Sequence, residues 1–261
     1  MSVLDHAMGS PSTLEEHATV PLAGGVANYG YQCGMLWGAA LAAGAQAYRI
    51  HGPGPQAETE AVVASQKIVA SFRSRTKNEI NCAEITDMNF KEKFRLTKLL
   101  KFFIKGGPVG CLTMSARCSR QAFGDINASL LVKHSGAATL PVSCAAALAR
   151  RMGASNMHAV MAAGFAGGIG LSGGGCGALG AAIWINAMQD CRQDASIKAM
   201  ITAAGATVEK FIKNTDFKLE CREITGRCFE NIIDHADYLR AGGCAKIIEL
   251  LAAKPTAGMV E

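Results

Sequence analysis

The sequence is poor in aromatic residues, poor in charge and without the short cysteine motifs of common redox proteins. Aromatic residues make up 6% of the 261 positions and charged residues 18%. No Cys-x-x-Cys or Cys-x-x-Cys-His occurs, which argues against a thioredoxin-like exchange motif and against covalently attached haem. The net charge of +5 comes from Lys and Arg interleaved with Asp and Glu, so we expect no nucleic-acid partner.

Secretion and membrane insertion are also not expected. Residues 1–8 have no basic stretch followed by an apolar core, so no signal peptide is visible and a cytoplasmic location is predicted. Residues 159–189 carry no charge, but the glycines clustered within them would break a membrane-spanning helix. The ten cysteines of a cytoplasmic chain are then expected to be metal ligands or redox thiols rather than a disulfide framework.

A glycine-rich stretch at 166–184 brings one cysteine to a predicted helix start. The glycines before Cys176 allow positive φ and close backbone approach. The Ala/Leu/Ile run after Cys176 has no polar stripe and predicts a helix that is buried on all sides. At the first turn of that helix, the macrodipole would favour the thiolate of Cys176.

The same arrangement occurs twice in the chain. The stretch from Ala23 through Cys33 aligns without a gap with the stretch from Ala166 through Cys176. Downstream, Cys82-Ala-Glu-Ile-Thr86 matches Cys221-Arg-Glu-Ile-Thr225, and a Gly-Gly-containing segment precedes both Cys111 and Cys244. We therefore predict an internal duplication, with halves at 1–125 and 126–261. His17 and His158 fall at comparable places before the two glycine runs.

The periodicity predicts an all-α protein. Apolar spacing indicates an amphipathic helix over 56–75, and further helices are predicted over 111–135, 185–213 and 245–253. No alternating strand pattern was found. The predicted fold is a helical bundle of two duplicated halves, whose glycine-rich loops lead into cysteine-bearing helix starts. Glu84 and Glu223 are interpreted as caps of helices that begin at Thr86 and Thr225.

The cysteine order resembles that of a known family. Cys144, Gly175-Cys176-Gly-Ala-Leu-Gly180, Cys221 and Cys244 resemble the C_GCAxxG_C_C redox-active proteins, with Gly177 where the motif has Ala. In the first half, Cys33, Cys82 and Cys111 fit the second, third and fourth positions. The first position is missing there, and whether Cys118 replaces it is open. The resemblance implies redox activity without one settled reaction.

The leading hypothesis is a cysteine-ligated metal centre, with an iron–sulfur cluster as the cofactor. Its predicted ligands are the repeated cysteines together with Cys118: Cys144, Cys176, Cys221 and Cys244 in the second half, and Cys33, Cys82, Cys111 and Cys118 in the first. The loop glycines would bring backbone N–H groups to the cofactor, and those named for this role are Gly173, Gly174, Gly175, Gly24 and Gly25.

Two other chemistries remain open at this stage. The chain could be a metal-free thiol–disulfide protein, or a module that binds zinc, copper or a sulfur species on soft thiolate ligands. The protein would be an oxidoreductase or an electron carrier, with a redox partner protein or a small-molecule oxidant or reductant, and possible homodimer formation. Cys191 and Cys228 have no counterpart in the other half, so they are expected to be structural.

Overall fold

The computed structural model describes residues 1–87, 107–131 and 142–253, and these residues are helical as predicted. The first half contains α1 (Ser2–Ala7), α2 (Thr13–His17), a 3₁₀ turn (Val20–Leu22), α3 (Gly34–His51), α4 (Pro55–Arg75), α5 (Cys82–Thr86) and α6 (Gly107–Leu130). The second half contains α7 (Cys144–Arg151), α8 (Asn156–Ala163), α9 (Gly177–Arg192), α10 (Ile197–Lys213), α11 (Cys221–Thr225), α12 (Ile232–Arg240) and α13 (Ala245–Ala252).

Three expectations about helix boundaries need correction. The predicted helix over 185–213 is interrupted, because Ser196 caps a new helix by accepting a hydrogen bond from the Ala199 N–H. The helix predicted over 111–135 begins earlier, at Gly107, and ends at Leu130. The short helices α5 and α11 end, rather than begin, at their threonines, so the glutamates lie in the first turn.

The duplication is visible in the backbone conformation. Residues 24–28 adopt five consecutive positive φ angles between +50° and +76°, and residues 167–171 repeat this run between +55° and +84°. Each run includes β-branched or bulky residues, for which positive φ is unfavourable, so tertiary contacts must hold both runs in place. The letters Gly168-Ile-Gly-Leu-Ser-Gly173 match the dinucleotide fingerprint, but here they follow helix α8 instead of a strand. They therefore lack the context that the fingerprint requires.

The second and third cysteines of each half are joined by a backbone bridge. In the first half, the Cys33 N–H donates to the Ile80 carbonyl at 2.8 Å, and the Cys82 N–H donates to the Tyr31 carbonyl at 2.7 Å. The second half repeats both bonds, from Cys176 to Leu219 at 2.9 Å and from Cys221 to Gly174 at 2.6 Å. Two cysteines about 45–50 residues apart in sequence are thus held side by side by the same geometry twice.

The two halves share one apolar core. Helices α3 and α9 are almost completely buried, and small residues let neighbouring backbones approach closely. A Cβ at Gly44 would lie 2.5 Å from the Met161 Cα, and a Cβ at Gly180 would lie 2.2 Å from the Trp37 ring. Alanine and glycine are therefore abundant because helices from different halves touch there. In the described part of the chain, no helix is long and apolar enough to cross a membrane.

Buried polar pairs also connect the halves. Glu58 on α4 is completely buried and pairs with Arg150 on α7. The Glu15 carboxylate lies 2.9 Å from His158 Nε2, and the Glu15 carbonyl accepts a bond from the Trp184 indole at 3.1 Å. The suggested pairing of His17 with His158 needs correction, because the gapless alignment that matches Cys33 with Cys176 places Glu15 opposite His158.

Candidate redox centre

In the second half, four cysteines lie at four helix starts. Cys144 and Cys221 are the first residues of α7 and α11, whereas Cys176 and Cys244 are the N-caps of α9 and α13. Cys144, Cys176 and Cys221 are buried, and the Cys221 thiol lies within electrostatic range of the other three. Elements far apart in sequence thus bring together the four residues that the pattern predicted.

Burial, rather than the helix dipole, dominates three of these thiols. It raises the pKa of Cys176 to about 12, and the nearby Cys144 raises it further. The pKa values of Cys221 and Cys244 are also raised, again chiefly by burial and then by neighbouring cysteines. The expectation of a low-pKa Cys176 was therefore wrong for the metal-free protein, because desolvation outweighs the helix terminus.

Cys144 is the exception, because a histidine faces it. Burial opposes ionisation of Cys144, but the hydrogen bond and charge of His235 outweigh burial and lower the pKa of the thiol. Backbone N–H groups of Gly167 and Ala145 act in the same direction. Burial of His235 is likewise outweighed by Cys144, so its pKa is raised, and its Nδ1 lies 3.0 Å from the Val142 carbonyl oxygen. The two side chains form a buried, hydrogen-bonded cysteine–histidine pair that favours the thiolate of Cys144.

The first half gathers its own four cysteines around a cavity of about 560 Å³. Cys33 is buried on its inner side and lies within electrostatic range of Cys82, Cys111 and Cys118. Cys118 therefore lines the same cavity as the three repeated cysteines. Met1 also lines it, at the position that the gapless alignment matches with Cys144.

The two cysteine sites lie back to back across the interface between the halves. Gln32, which precedes Cys33, is fully buried against the backbone of Gly174 and Gly175, and Gly175 precedes Cys176. The residues before the third cysteines also meet, because the Asn81 amide donates to the Glu220 carboxylate at 3.4 Å. The halves thus contact each other through the residues that position their cysteines.

The loop glycines named in the prediction have clear backbone roles. A Cβ at Gly25 would overlap the Tyr31 backbone at 2.4 Å, and one at Gly24 would overlap the Asn28 side chain at 2.1 Å. Gly173 carries a φ of +76°, whereas Gly174 and Gly175 pack against Gln32. In the glycine-rich loop before Cys176, the N–H of Gly167 is the one that lowers the pKa of a thiol, that of Cys144. A cofactor contact for the predicted glycines stays a prediction.

The remaining cysteines lie apart from the clusters. The Cys191 thiol is 3.6 Å from the Met200 sulfur. None of the other cysteines is among the groups that shift the pKa of Cys191. Cys228 is exposed, and its sulfur would lie 3.0 Å from a Cβ at Gly173. All ten cysteines are free thiols.

The donor geometry was tested for a single metal ion. Within residues 1–87, 107–131 and 142–253, no three His, Cys, Asp or Glu side chains converge as ligands of one ion. A tetrahedral zinc site would hold its sulfurs about 3.8 Å apart. The four thiols of the second half influence one another electrostatically without that convergence. The donor set is thus rich in sulfur but wider than a single-ion site.

Comparison with known proteins identifies the family. The family described as "Putative redox-active protein (C_GCAxxG_C_C)" matches residues 1–121 and 142–256, one match in each half. The chain belongs to this family. Both matches agree with the duplicated architecture and support a general redox role. No curated protein and no solved structure shows significant similarity to the chain.

Sequence reasoning missed His235 and Gln32. His235 lies between the third and fourth cysteines of the second half, on a helix that Asn231 caps. A histidine placed between two predicted site cysteines could have been named as a candidate site residue. In the first half, Gln32 stands where the second half has Gly175, the glycine before the second cysteine. This departure from the motif could have identified Gln32 as a residue with a particular role. What each side chain touches could not be known without the fold.

Proposed function

We propose that the second half of this redox-family protein carries a cysteine-bound redox centre, with an iron–sulfur cluster held by four thiolates. The observation that carries the proposal is that Cys144, Cys176, Cys221 and Cys244 lie at four helix starts in a largely buried site, within electrostatic range of Cys221. Cysteine thiolates are the ligands that such clusters require.

Four thiols need not meet at a single ion to hold an iron–sulfur cluster. Such a cluster distributes its cysteine ligands over more than one iron. Thiol pKa values that burial raises also fit this role, because a bound cation would stabilise thiolates that burial disfavours. When bound, the cluster would supply one-electron transfer.

Residues around the thiols would tune such a centre. The His235 ring and the N–H groups of Gly167 and Ala145 direct hydrogen bonds at the Cys144 sulfur, and His235 also favours negative charge there electrostatically. Both effects stabilise extra negative charge and raise a reduction potential. The Ala-rich core around Cys176 would exclude water.

The test is anaerobic purification with iron and acid-labile sulfide analysis and a visible spectrum before and after dithionite. We expect iron, sulfide and a spectrum that bleaches on reduction. Cys176→Ser should lose the chromophore, whereas the matched control Cys191→Ser should retain it, because none of the other cysteines is among the groups that shift the pKa of Cys191. A colourless wild-type protein without iron, even after anaerobic reconstitution, would refute the cluster.

A metal-free thiol mechanism is the second candidate, and the Cys144–His235 pair favours it. His235 lowers the pKa of the Cys144 thiol, and the thiolate is the attacking form of a cysteine. In this case Cys144 would attack a disulfide substrate, expel one sulfur as a thiol and then form a disulfide with a neighbouring cysteine, which expels the second thiol. Mass spectrometry after reaction with a small disulfide would show a loss of two hydrogens confined to the second half.

A further inference from the structure

The first half contains a cavity that the function proposed for the second half does not use. Its volume of about 560 Å³ lies within the range typical of small-molecule sites, about 300–1,000 Å³. Cys82, Cys111 and Cys118 are half-buried beside this space, whereas Cys33 is buried. The first-half cysteines therefore face a space that can hold a ligand.

The walls of this cavity are mostly apolar. Leu4 of α1, Leu36 and Ala39 of α3, and Ile68 and Phe72 of α4 contribute hydrocarbon surface. Helix α6 closes the opposite side with one face, on which Cys111, Ser115, Cys118, Ala122 and Asp125 follow at intervals of three or four residues. A space of this size lined by hydrocarbon favours an apolar occupant.

The polar groups in the cavity favour a neutral occupant. A charged occupant would lose its hydration against the hydrocarbon walls, so the cavity favours a neutral one. Arg75 and Asp125 are the charged side chains of the described lining, and Gln121 bridges them. Arg75 donates to the Gln121 side chain, which donates to Asp125 Oδ1, both at 3.1 Å.

One acceptor in this lining has no partner. Asp125 Oδ2 is buried and receives no hydrogen bond from the described part of the chain. A buried carboxylate oxygen without a donor is costly, and a hydroxyl group on an occupant would satisfy it. Asp125 lies seven residues beyond Cys118, about 10 Å along α6, so an occupant reaching both is about the length of two fused rings.

We propose that the first-half cavity binds a small, neutral, largely apolar organic molecule that carries a hydroxyl group, with the hydroxyl on Asp125 and the apolar body toward the thiols. Its role as the redox substrate of the protein rests on the function proposed above, whereas its binding does not. The four thiols then line a substrate site in the first half, and the enclosed cysteines of the second half form the redox centre.

The probe is 2-naphthol, a fluorescent two-ring molecule with one hydroxyl, titrated into the reduced full-length chain. We expect saturable binding at one site. Ser115→Phe fills the cavity and should weaken binding at least about tenfold, whereas Ala116→Phe, on the exposed face of the same helix, should leave it unchanged. Ser119→Phe is a second cavity-filling variant, should Ser115→Phe not fold as judged by circular dichroism.

The hydroxyl contact is tested with 2-methoxynaphthalene, which cannot donate. Asp125→Leu should weaken 2-naphthol about tenfold, the value of one hydrogen bond to a charged acceptor, and change 2-methoxynaphthalene little. Binding that is not saturable, or that survives the cavity-filling variants, would overturn the proposal. An equal loss of both ligands would overturn the Asp125 contact. Since no redox cofactor is needed, failure here is distinguishable from failure of the iron and sulfide assay.

Discussion

The contact between helices α3 and α8 provides the sharpest test of how the halves are joined. At Gly44, a Cβ would lie 2.5 Å from both the Met161 Cα and the Val160 carbonyl oxygen. Real Cβ atoms do not approach backbone so closely, and backbone atoms cannot rotate away. Gly44→Ala must therefore push two buried helices apart, in a core where both are almost fully enclosed.

The magnitude follows from two opposing effects. Alanine gains about 1 kcal/mol over glycine in a helix interior, because glycine loses more backbone entropy on folding. Overpacking a tight core costs about 1–3 kcal/mol, and backbone overlap belongs at or above the upper end. We expect Gly44→Ala to lower the free energy of unfolding by about 2–3 kcal/mol, a large share of the stability of a typical domain.

The assay is urea unfolding followed by circular dichroism, with Gly205→Ala as the matched control. Gly205 is also a helical glycine, in α10, but a Cβ there meets nothing within 4 Å. The control should be neutral or stabilised by up to about 1 kcal/mol. If Gly44→Ala matches this control, the two halves are not packed through α3 and α8 as described, and the shared core is refuted.

Three other predictions address buried ionisable groups. His235→Gln should raise the pKa of Cys144 in the reduced, metal-free protein, because only the backbone N–H groups of Gly167 and Ala145 then oppose burial. An unchanged ultraviolet thiolate titration would contradict the pair. Burial and Glu16 raise the pKa of the Asp5 carboxyl from 3.8 to about 7. The folded protein therefore keeps the Asp5 proton at pH values where the unfolded chain has lost it, and the free energy of unfolding should fall by about 2–4 kcal/mol as pH rises from 4 to 8. Asp5→Asn should flatten that dependence in urea titrations at each pH, and an unchanged slope would refute it. Arg150→Met should lower the free energy of unfolding by about 3 kcal/mol, because it leaves the Glu58 carboxyl buried without its partner, and a neutral effect would show that the pair does not join the halves.

The repeated cysteines were accessible to sequence reasoning because backbone geometry repeats with them. The left-handed runs at 24–28 and 167–171 favour glycine at several positions, so the backbone conformation can be recognised from the glycines in the sequence. The bridge between the second and third cysteines is made by the same pair of backbone hydrogen bonds in both halves, and Cys82 and Cys221 lie in matching Cys-x-Glu-Ile-Thr segments. A pattern that repeats for a local reason can be found without the fold.

Ionisation at the site was not accessible in the same way. From sequence, Cys176 was expected to be the thiolate, since a helix start favours the charged form. The pKa of Cys176 is instead raised, because the alanine and glycine residues around it exclude water. The low-pKa thiol is Cys144, through a histidine 91 positions away in sequence. A desolvation cost depends on every neighbour, so it cannot be read from spacing.

The sequence by itself determined the all-α class, the duplication, the family and the set of repeated cysteines, because these depend on periodicity and on short segments that fold locally. The tertiary structure alone decided that Cys118 joins the first-half set, that His235 faces Cys144 and that Gln32 separates the two sites. It also decided that the first-half set borders a cavity. These features arise from how helices pack across the interface, and packing is a property of contacts between residues that are distant in sequence.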